Sequence, residues 1–147
     1  KNEGKLICNL RCNDDFISEL SLVAEIDDSI VGHILFFPLR IISENSIHKC
    51  LSLAPMAVTP DYQNKGIGSK LVRAGLDKAK SLGFNSCVVL GHPKYYPRFG
   101  FKHASKWGIK APVEVPDEAF MAAELISDSL SKVSGVVEFP KEYYDAM

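Results

Sequence analysis

The sequence has no hydrophobic run long enough to cross a membrane and no excess of charge of either sign. Its longest apolar segment, Ile30 to Ile42, is shorter than the ~20 residues of a membrane-spanning helix, and Pro38 and Arg40 interrupt it. Seventeen basic residues face 18 acidic ones, which leaves a formal net charge of -1. This balance is not typical of proteins that coat nucleic acid or an anionic membrane surface. We therefore expect no nucleic-acid partner and no membrane partner.

Cysteine is also scarce, and its spacing argues against a metal site and against export. The four cysteines, Cys8, Cys12, Cys50 and Cys87, do not form the paired C-x-x-C spacings of a zinc site. Three of them lie in apolar segments, so we interpret them as buried thiols and expect no bound metal. Because no framework of cysteines suggests export, a reducing cytoplasm is the expected location.

The length and composition indicate one folded domain. A chain of 147 residues, 46% of them hydrophobic, can bury about two-thirds of its unfolded surface. The sequence shows neither an internal repeat nor a low-complexity tract. Residues 1–147 are therefore expected to form a single domain.

The first third of the chain predicts a helix followed by strands. Leu6, Ile7 and Leu10 have the spacing of a short amphipathic helix. Two β-like runs follow, and because Asp27-Asp28 joins them they predict an antiparallel hairpin. A third run carries Pro55, which has no N–H for a sheet ladder, so it predicts a bulge or a place where two strands part.

The stretch VTPDYQNKGIGSKL, Val58 to Leu71, leads into a second helix. An apolar stripe from Ile67 to the cap at Gly83 predicts that helix, and FNSCVVLG after it predicts a buried strand. Gly66 and Gly68 stand at the helix start, although glycine costs about 1 kcal/mol relative to alanine in a helix interior. The first N–H groups of a helix attract anions, and glycine lets an anion approach the backbone. Close packing of the helix on a strand is the alternative explanation.

Two motifs in a fixed order give the sequence its resemblance to a known family. The segment from Gln63 to Gly68 fits the pattern Q/R-x-x-G-x-G/A, and Tyr96 stands four residues before Gly100-Phe101. A strand with a proline break precedes the first motif, and a helix and a buried strand lead to the second. With these features the sequence resembles the GNAT superfamily of acyl-coenzyme A (CoA) dependent N-acetyltransferases, and in particular a subgroup of small bacterial acetyltransferases.

The resemblance implies a fold and a reaction. The fold is of the α/β (α+β) class, with a mixed, mostly antiparallel sheet splayed at the family's fourth strand and helices on both faces. The reaction moves an acetyl group from acetyl-CoA, as co-substrate, to a primary amine by direct attack in a ternary complex. A homodimer is compatible with the family. Because its members begin with a strand and a helix, about 20 to 30 residues are expected to precede Lys1.

The resemblance also implies which residues bind CoA. Backbone amides of the loop and of the first helical turn are expected to hold the pyrophosphate. The strand after Pro55 is expected to bond the pantetheine arm as it would bond an added strand. The implied cofactor-binding residues are Met56, Ala57, Val58, Gln63, Asn64, Lys65, Gly66, Ile67, Gly68 and Ser69.

For catalysis, the family motif implies that Tyr96 protonates the departing thiolate. Without the motif, Tyr96 would be interpreted as a core aromatic residue. An amine must be neutral to attack a thioester, so a base is also needed. The sequence leaves this base open among Glu25, His33, His92 and Glu124.

Two other functions are compatible with parts of the pattern. A non-catalytic acyl-CoA binding or sensing module needs the phosphate site but not Tyr96. A dinucleotide-binding oxidoreductase needs a longer G-x-G-x-x-G motif, and the next glycine after Gly68 is Gly75. The sequence does not indicate the acceptor amine.

Overall fold

The fold is built on one mixed β-sheet, seen in a computed structural model that describes residues 3–146. The helices are α1 (Glu3–Arg11), α2 (Ile67–Ser81) and α3 (Lys141–Ala146). The strands are β1 (Ser21–Ile26), β2 (Ser29–Ile42), β3 (Ile47–Val58), β4 (Ser86–Leu90), β5 (Lys102–His103), β6 (Ile109–Lys110), β7 (Phe120–Glu124) and β8 (Gly135–Glu138). The strand order is β5-β7-β4-β3-β2-β8-β6, and β1 also pairs with β2. Only the pairs β3–β4 and β6–β8 are parallel within this sheet, which confirms the expected fold class.

The predicted hairpin is present between β1 and β2. Asp27 and Asp28 form its turn, with φ of 51° and 67°. Two successive positive φ values match the right-handed twist of the strands, and aspartate tolerates this conformation better than most residues. The hairpin places His33 on β2, opposite Val23 on β1 and opposite Ala57 on β3.

The strand β3, the helix α2 and the strand β4 form the predicted crossover unit. The helix buries Leu71, Val72, Gly75 and Ala79 against the sheet. Its end is capped as predicted, because Gly83 has φ of 95° and the Phe84 N–H donates to the Ala79 carbonyl at 3.1 Å. Leu82 belongs to the cap and is 40% exposed, so the apolar stripe ends one turn earlier than the sequence pattern suggests.

The strands β3 and β4 part soon after they meet. They pair only at Leu51 with Cys87 and at Ser52 with Val88, although both strands continue further. Pro55 follows the last paired residue of β3 and lies beside a register shift in the β2–β3 ladder. Since proline has no N–H to donate, it is tolerated at such an irregularity. The predicted parting of the sheet is confirmed, and β3 stays attached to β2 on its other side.

Alternate side chains of the strands build two cores, one on each face of the sheet. The first core lies under α2 and includes Ile34, Phe36, Leu51, Leu53, Leu71 and Cys87. The second lies under α1 and α3 and includes Leu10, Leu35, Phe37, Cys50, Val88 and Tyr143. We call the two sides the α2 face and the α1/α3 face. No helix within residues 3–146 has the length and hydropathy of a membrane span.

Candidate active site

A cleft opens where β3 and β4 part, between the amino end of α2 and the loop after β4. It has a volume of about 690 Å³. Its walls are formed by Met56, Ala57, Val58, Tyr62, Gln63, Asn64, Gly66, Gly68, Ser69, Tyr95 and Arg98. All of the predicted CoA-binding residues except Lys65 and Ile67 are among them. The structure thus brings the end of β3 and the glycine loop to one cavity.

The glycine loop and the start of α2 line this cleft. Asn64 and Gly66 both have positive φ, 63° and 82°, and Gly66 is the N-cap of α2. No side chain caps the helix there, so the first N–H groups of α2 keep their capacity to donate. The loop is fixed to β3 because the Gln63 side-chain amide donates to the Val58 carbonyl at 2.9 Å. A rigid, amide-lined cradle of this kind suits an anionic oxygen.

Gly68 lies in the cradle beside Tyr95 and Met56. A Cβ built on Gly68 would stand 3.1 Å from the Tyr95 hydroxyl and 3.7 Å from Met56 Cε. The Tyr95 hydroxyl also lies 3.2 Å from Ser69 Oγ, within hydrogen-bonding distance. Tyr95 therefore closes the cleft across the first turn of α2, and any side chain at position 68 would displace it.

Two cations stand at the cleft, and aromatic rings fix both. The Arg98 guanidinium stacks over the Tyr95 ring, 4.6 Å from its centroid, while its Nε donates to the Tyr95 carbonyl at 2.9 Å. Lys65 lies 5.5 Å from the centroid of the Tyr62 ring, at the edge of the same loop. Stacking of this sort holds a charged group in place without neutralising it. Both side chains are placed to attract a polyanion to the cleft.

Tyr96 is buried next to the cleft but does not form its wall. Only 9% of the residue is exposed, and its ring packs edge-on against Tyr95, with centroids 5.1 Å apart, and against Phe101 at 5.8 Å. Gly91 makes room for it, since a Cβ there would lie 2.5 Å from the Tyr96 ring. Burial, with smaller effects of Tyr95 and Cys87, raises the pKa of Tyr96 to about 12. Its hydroxyl is therefore protonated, and a donor, at neutral pH.

The four candidate bases lie in different surroundings. Glu25 is exposed near the hairpin turn, and His92 is exposed with its Nδ1 accepting from the Lys94 N–H at 3.2 Å. Glu124 lies at the far end of β7, opposite the first residue of β4, and accepts from the Leu130 N–H at 2.9 Å. These placements put Glu124 at the end of the sheet away from the cleft.

His33 is half-buried, as Glu124 is, but it lies on the strand that pairs with the end of β3. It stands opposite Ala57, a wall residue of the cleft, and its Nε2 lies 3.3 Å from Ser21 Oγ. Burial, and to a lesser degree the positive charge of Arg11, lowers the pKa of His33 below its ordinary value of 6.5. The imidazole is thus neutral at pH 7 and able to accept a proton.

The cofactor-binding residues predicted from the motifs did not include three residues of the cleft, Tyr62, Tyr95 and Arg98. Tyr95 precedes the motif tyrosine directly, and a second aromatic residue in that place was the one available signal. Arg98 and Tyr62 carry no signal in the sequence, because a single arginine or tyrosine in a loop is usually a surface residue.

Comparison with known proteins decides the family. The family model described as "Acetyltransferase (GNAT) family" matches residues 3–101, well over half of the chain. The chain belongs to the GNAT family. As a member of this family of acyltransferases, it is an enzyme of that class, and the match includes both motifs of the sequence.

The curated relatives of this GNAT protein carry the same general name. The uncharacterized N-acetyltransferase YjhQ of Escherichia coli K12 is 38% identical over 117 residues, which are 79% of this chain and 65% of YjhQ. The uncharacterized N-acetyltransferase YhbS of the same strain is 33% identical over 142 residues, which are 96% of this chain and 83% of YhbS. The chain thus spans less than two-thirds of the length of YjhQ.

Two solved structures resemble the fold over almost the whole chain. The crystal structure of Escherichia coli YhbS in complex with CoA has a TM-score of 0.87 and 32% identity, and it covers 97% of this chain and 77% of that one. A GNAT family acetyltransferase from Brucella melitensis in complex with acetyl-CoA has a TM-score of 0.76 and 33% identity, and it covers 97% of this chain and 78% of that one.

Proposed function

We propose that this GNAT protein transfers an acetyl group from acetyl-CoA to a primary amine by direct attack in a ternary complex. The observation that carries the proposal is the cleft at the parting of β3 and β4, where a glycine-lined helix terminus with free amides meets an unpaired strand edge. The similar YhbS and Brucella melitensis structures were solved with CoA and acetyl-CoA, which supports the choice of ligand.

The cleft residues fit coenzyme A in shape and charge. The amides from Gly66 to Ser69 would hold the pyrophosphate, because the side chain that would block its approach is missing at Gly68. Lys65 and Arg98 would add positive charge at the rim. The edge from Met56 to Val58, which β4 leaves unpaired, would bond the pantetheine amides as a neighbouring strand would.

The chemistry begins with the neutral amine attacking the thioester carbonyl. A new C–N bond forms, and the carbonyl oxygen takes the negative charge. A strand N–H near Met56 or Ala57 would stabilise this oxyanion. After the attack the nitrogen carries a positive charge and gives a proton to water. Collapse of the intermediate then re-forms the carbonyl, breaks the C–S bond and expels the thiolate of CoA, and the Tyr96 hydroxyl is our proposed donor to that sulfur. The amide product and free CoA result.

The attacking amine must first lose a proton, and His33 is the base that the placement favours. Its lowered pKa keeps the imidazole neutral at pH 7, and it lies opposite the strand residue Ala57. Transfer through a water molecule would span the remaining distance. Glu25, His92 and Glu124 lack this combination of burial and position.

The test is acetyl-CoA turnover with a panel of amines, followed by mass spectrometry of the acetylated product and of free CoA. Gly68→Val is expected to weaken acetyl-CoA binding at least tenfold by calorimetry, since a branched side chain would push against Tyr95 and Met56 and narrow the cleft at the proposed phosphate site. Ala74→Val is the matched control, because it adds the same valine to the exposed face of the same helix.

Three results would each contradict a different part of this proposal. Equal acetyl-CoA affinity of a folded Gly68→Val variant and of Ala74→Val would contradict the assignment of the phosphate site. Tight acetyl-CoA binding without product from any amine would favour the alternative of a non-catalytic acyl-CoA sensing module. Turnover without dependence on Tyr96 or His33 would keep the reaction and overturn only those two roles.

A further inference from the structure

A second cavity lies on the α1/α3 face of the sheet, at the same parting of β3 and β4. It has a volume of about 220 Å³. Ser52 and Ala54 of β3, Val88 and Leu90 of β4, Leu6 of α1 and Tyr143 of α3 are among the residues that line it. Leu90 is 41% exposed, so the cavity opens to the surface at that residue.

This cavity continues the CoA cleft along the edge of β3. The cleft is lined by residues 56 to 58 and the cavity by residues 52 to 54 of the same strand. At about 3.3 Å per residue, Ala54 and Met56 are only about 7 Å apart along the strand. A pantetheine arm that runs from the helix terminus along this edge would thus deliver its thioester next to the mouth of the cavity.

The side chains that line the cavity are uncharged, and their two hydroxyl groups are already hydrogen-bonded. None of the residues that line it carries a charge. The Tyr143 hydroxyl shares a hydrogen bond with Ser52 Oγ and lies 3.1 Å from the Ala54 carbonyl, and Ser52 Oγ also lies 3.2 Å from the Phe37 carbonyl. A charged group that entered this space would lose its water and find no counter-ion.

The volume sets the size of the group that fits. A cavity of about 150 Å³ lined by aliphatic and aromatic side chains is large enough to bind benzene. A cavity of about 220 Å³ therefore accepts a phenyl ring or an unbranched chain of five or six carbon atoms.

We propose that the acceptor of this enzyme is a primary amine that carries an uncharged apolar group, and that this cavity binds that group. The inference rests on the proposed acetyl transfer and adds the chemical class of the acceptor. Diamines, polyamines and amino acids with a second charge at the far end of the chain are poor acceptors, because the cavity gives the second charge no partner.

Three amines of similar length test the class directly. Hexylamine and 1,5-diaminopentane have the same number of heavy atoms, but hexylamine ends in a methyl group and 1,5-diaminopentane in an ammonium group. The third amine, 5-aminopentanoate, ends in a carboxylate. We expect kcat/KM for hexylamine to exceed that for each charged amine about tenfold or more, after a statistical factor of two for the diamine. Equal or better use of either charged amine by the native protein would overturn the inference.

Two variants connect the selectivity to the cavity. Ala54→Leu fills the space and should lower kcat/KM for hexylamine about tenfold more than kcat/KM for the small amine ethylamine. Leu90→Glu places a negative charge at the mouth and should invert the preference of hexylamine over 1,5-diaminopentane. Ala111→Leu adds the same bulk elsewhere in the core of this face and is the matched control.

The outcomes separate this inference from the proposed function. Acetyl-CoA affinity by calorimetry and a thermal melt establish that each variant is folded. If the charged amines are acetylated and hexylamine is not, acetyl transfer stands and the apolar acceptor is wrong. If Leu90→Glu is folded, binds acetyl-CoA and keeps the native preference, the cavity is not the acceptor site. If none of the three amines yields acetylated product, the inference is wrong, and testing the remaining panel decides whether the transfer itself stands.

Discussion

At the scale of single residues, two adjacent tyrosines have different surroundings. The Tyr95 hydroxyl contacts Ser69 at the first turn of α2, whereas Tyr96 is buried behind it, with a pKa raised to about 12. A thiol such as that of cysteine has a pKa near 8.5, so full proton transfer from Tyr96 to the thiolate would be uphill by about 5 kcal/mol. Tyr96 is thus better suited to donate a hydrogen bond to the thiolate than to give up its proton.

We expect Tyr96→Phe to lower kcat about ten- to one-hundredfold with little change in the KM for acetyl-CoA. A hydrogen bond to a charged group is worth about 1.5 to 3 kcal/mol, and this one forms as the thiolate appears. Tyr95→Phe is the matched control, expected to raise the KM for acetyl-CoA a few-fold with kcat retained. Steady-state kinetics of both variants measures these changes. An unchanged kcat in Tyr96→Phe would show that Tyr96 is only a packing residue.

The lowered pKa of His33 predicts a pH dependence of stability. Between the folded pKa and the ordinary value near 6.5, the unfolded chain binds more protons than the folded protein at this residue. Stability therefore rises with pH through this window and levels off above it. Thermal melts from pH 5 to pH 7 should show a smaller rise for His33→Gln than for the native protein. The exposed His92→Gln is the control, and an identical rise in His33→Gln would contradict the prediction.

At the scale of the element, α2 carries two glycines whose surroundings differ. Gly68 faces the cleft, but Gly75 is buried against the sheet, where an added Cβ would lie 2.0 Å from Phe36 Cε1. Phe36 has no exposed surface and sits in the middle of β2. Close packing on the sheet thus accounts for Gly75, whereas anion approach remains our proposal for Gly68.

Gly75→Ala is expected to destabilise the fold by about 1 to 3 kcal/mol and to leave acetyl-CoA affinity unchanged. Overpacking at Phe36 is the cause, and the better helix propensity of alanine offsets less than about 1 kcal/mol of it. Chemical denaturation and calorimetry measure the two quantities. An equally stable Gly75→Ala variant would show that Phe36 can move, and a loss of affinity would show that the two ends of the helix are coupled.

The same elements show what could be predicted from the sequence and why. The hairpin and the crossover helix have local signals, because Asp27-Asp28 and Gly83 fix the turn and the cap by themselves. The two-residue strands β5 and β6, the strand β8 and the helix α3 have none, since short elements of mixed polarity depend on their tertiary partners. The residues of the apolar cavity, Tyr143 among them, were therefore not predicted, whereas eight of the ten predicted cofactor-binding residues line the cleft.

At the scale of the whole molecule, the parting of β3 and β4 is accompanied by a cavity on each face of the sheet. The cleft that we propose for CoA lies on the α2 face, toward which Met56 points, and the apolar cavity lies on the α1/α3 face. The parting depends on a ladder that ends after two residue pairs, and Pro55 is the sequence signal for it. The composition of the apolar cavity has no such signal in the sequence, because it depends on which side chains of α1 and α3 pack beside the parted strands.

The separation of the cores gives the molecule two internal thiols that report on different halves of it. Cys50 and Cys87 both have no exposed surface, and they lie on opposite faces of the sheet, whereas Cys8 and Cys12 are exposed. Burial raises the pKa of Cys50 to about 11 and that of Cys87 well above its ordinary value, so neither thiol reacts until its core opens.

A thiol reagent should thus label Cys8 and Cys12 in seconds to minutes. It should label Cys50 and Cys87 only as fast as local unfolding exposes them. Mass spectrometry of timed samples, with Cys8 and Cys12 replaced by serine, gives the opening free energy of each face separately. If saturating acetyl-CoA slows labelling at Cys87 more than at Cys50, the core on the α2 face unfolds locally on its own, and the ligand stabilises it against that opening. Equal slowing would mean that the sheet opens as a single cooperative unit, so that no motion confined to one face admits a substrate.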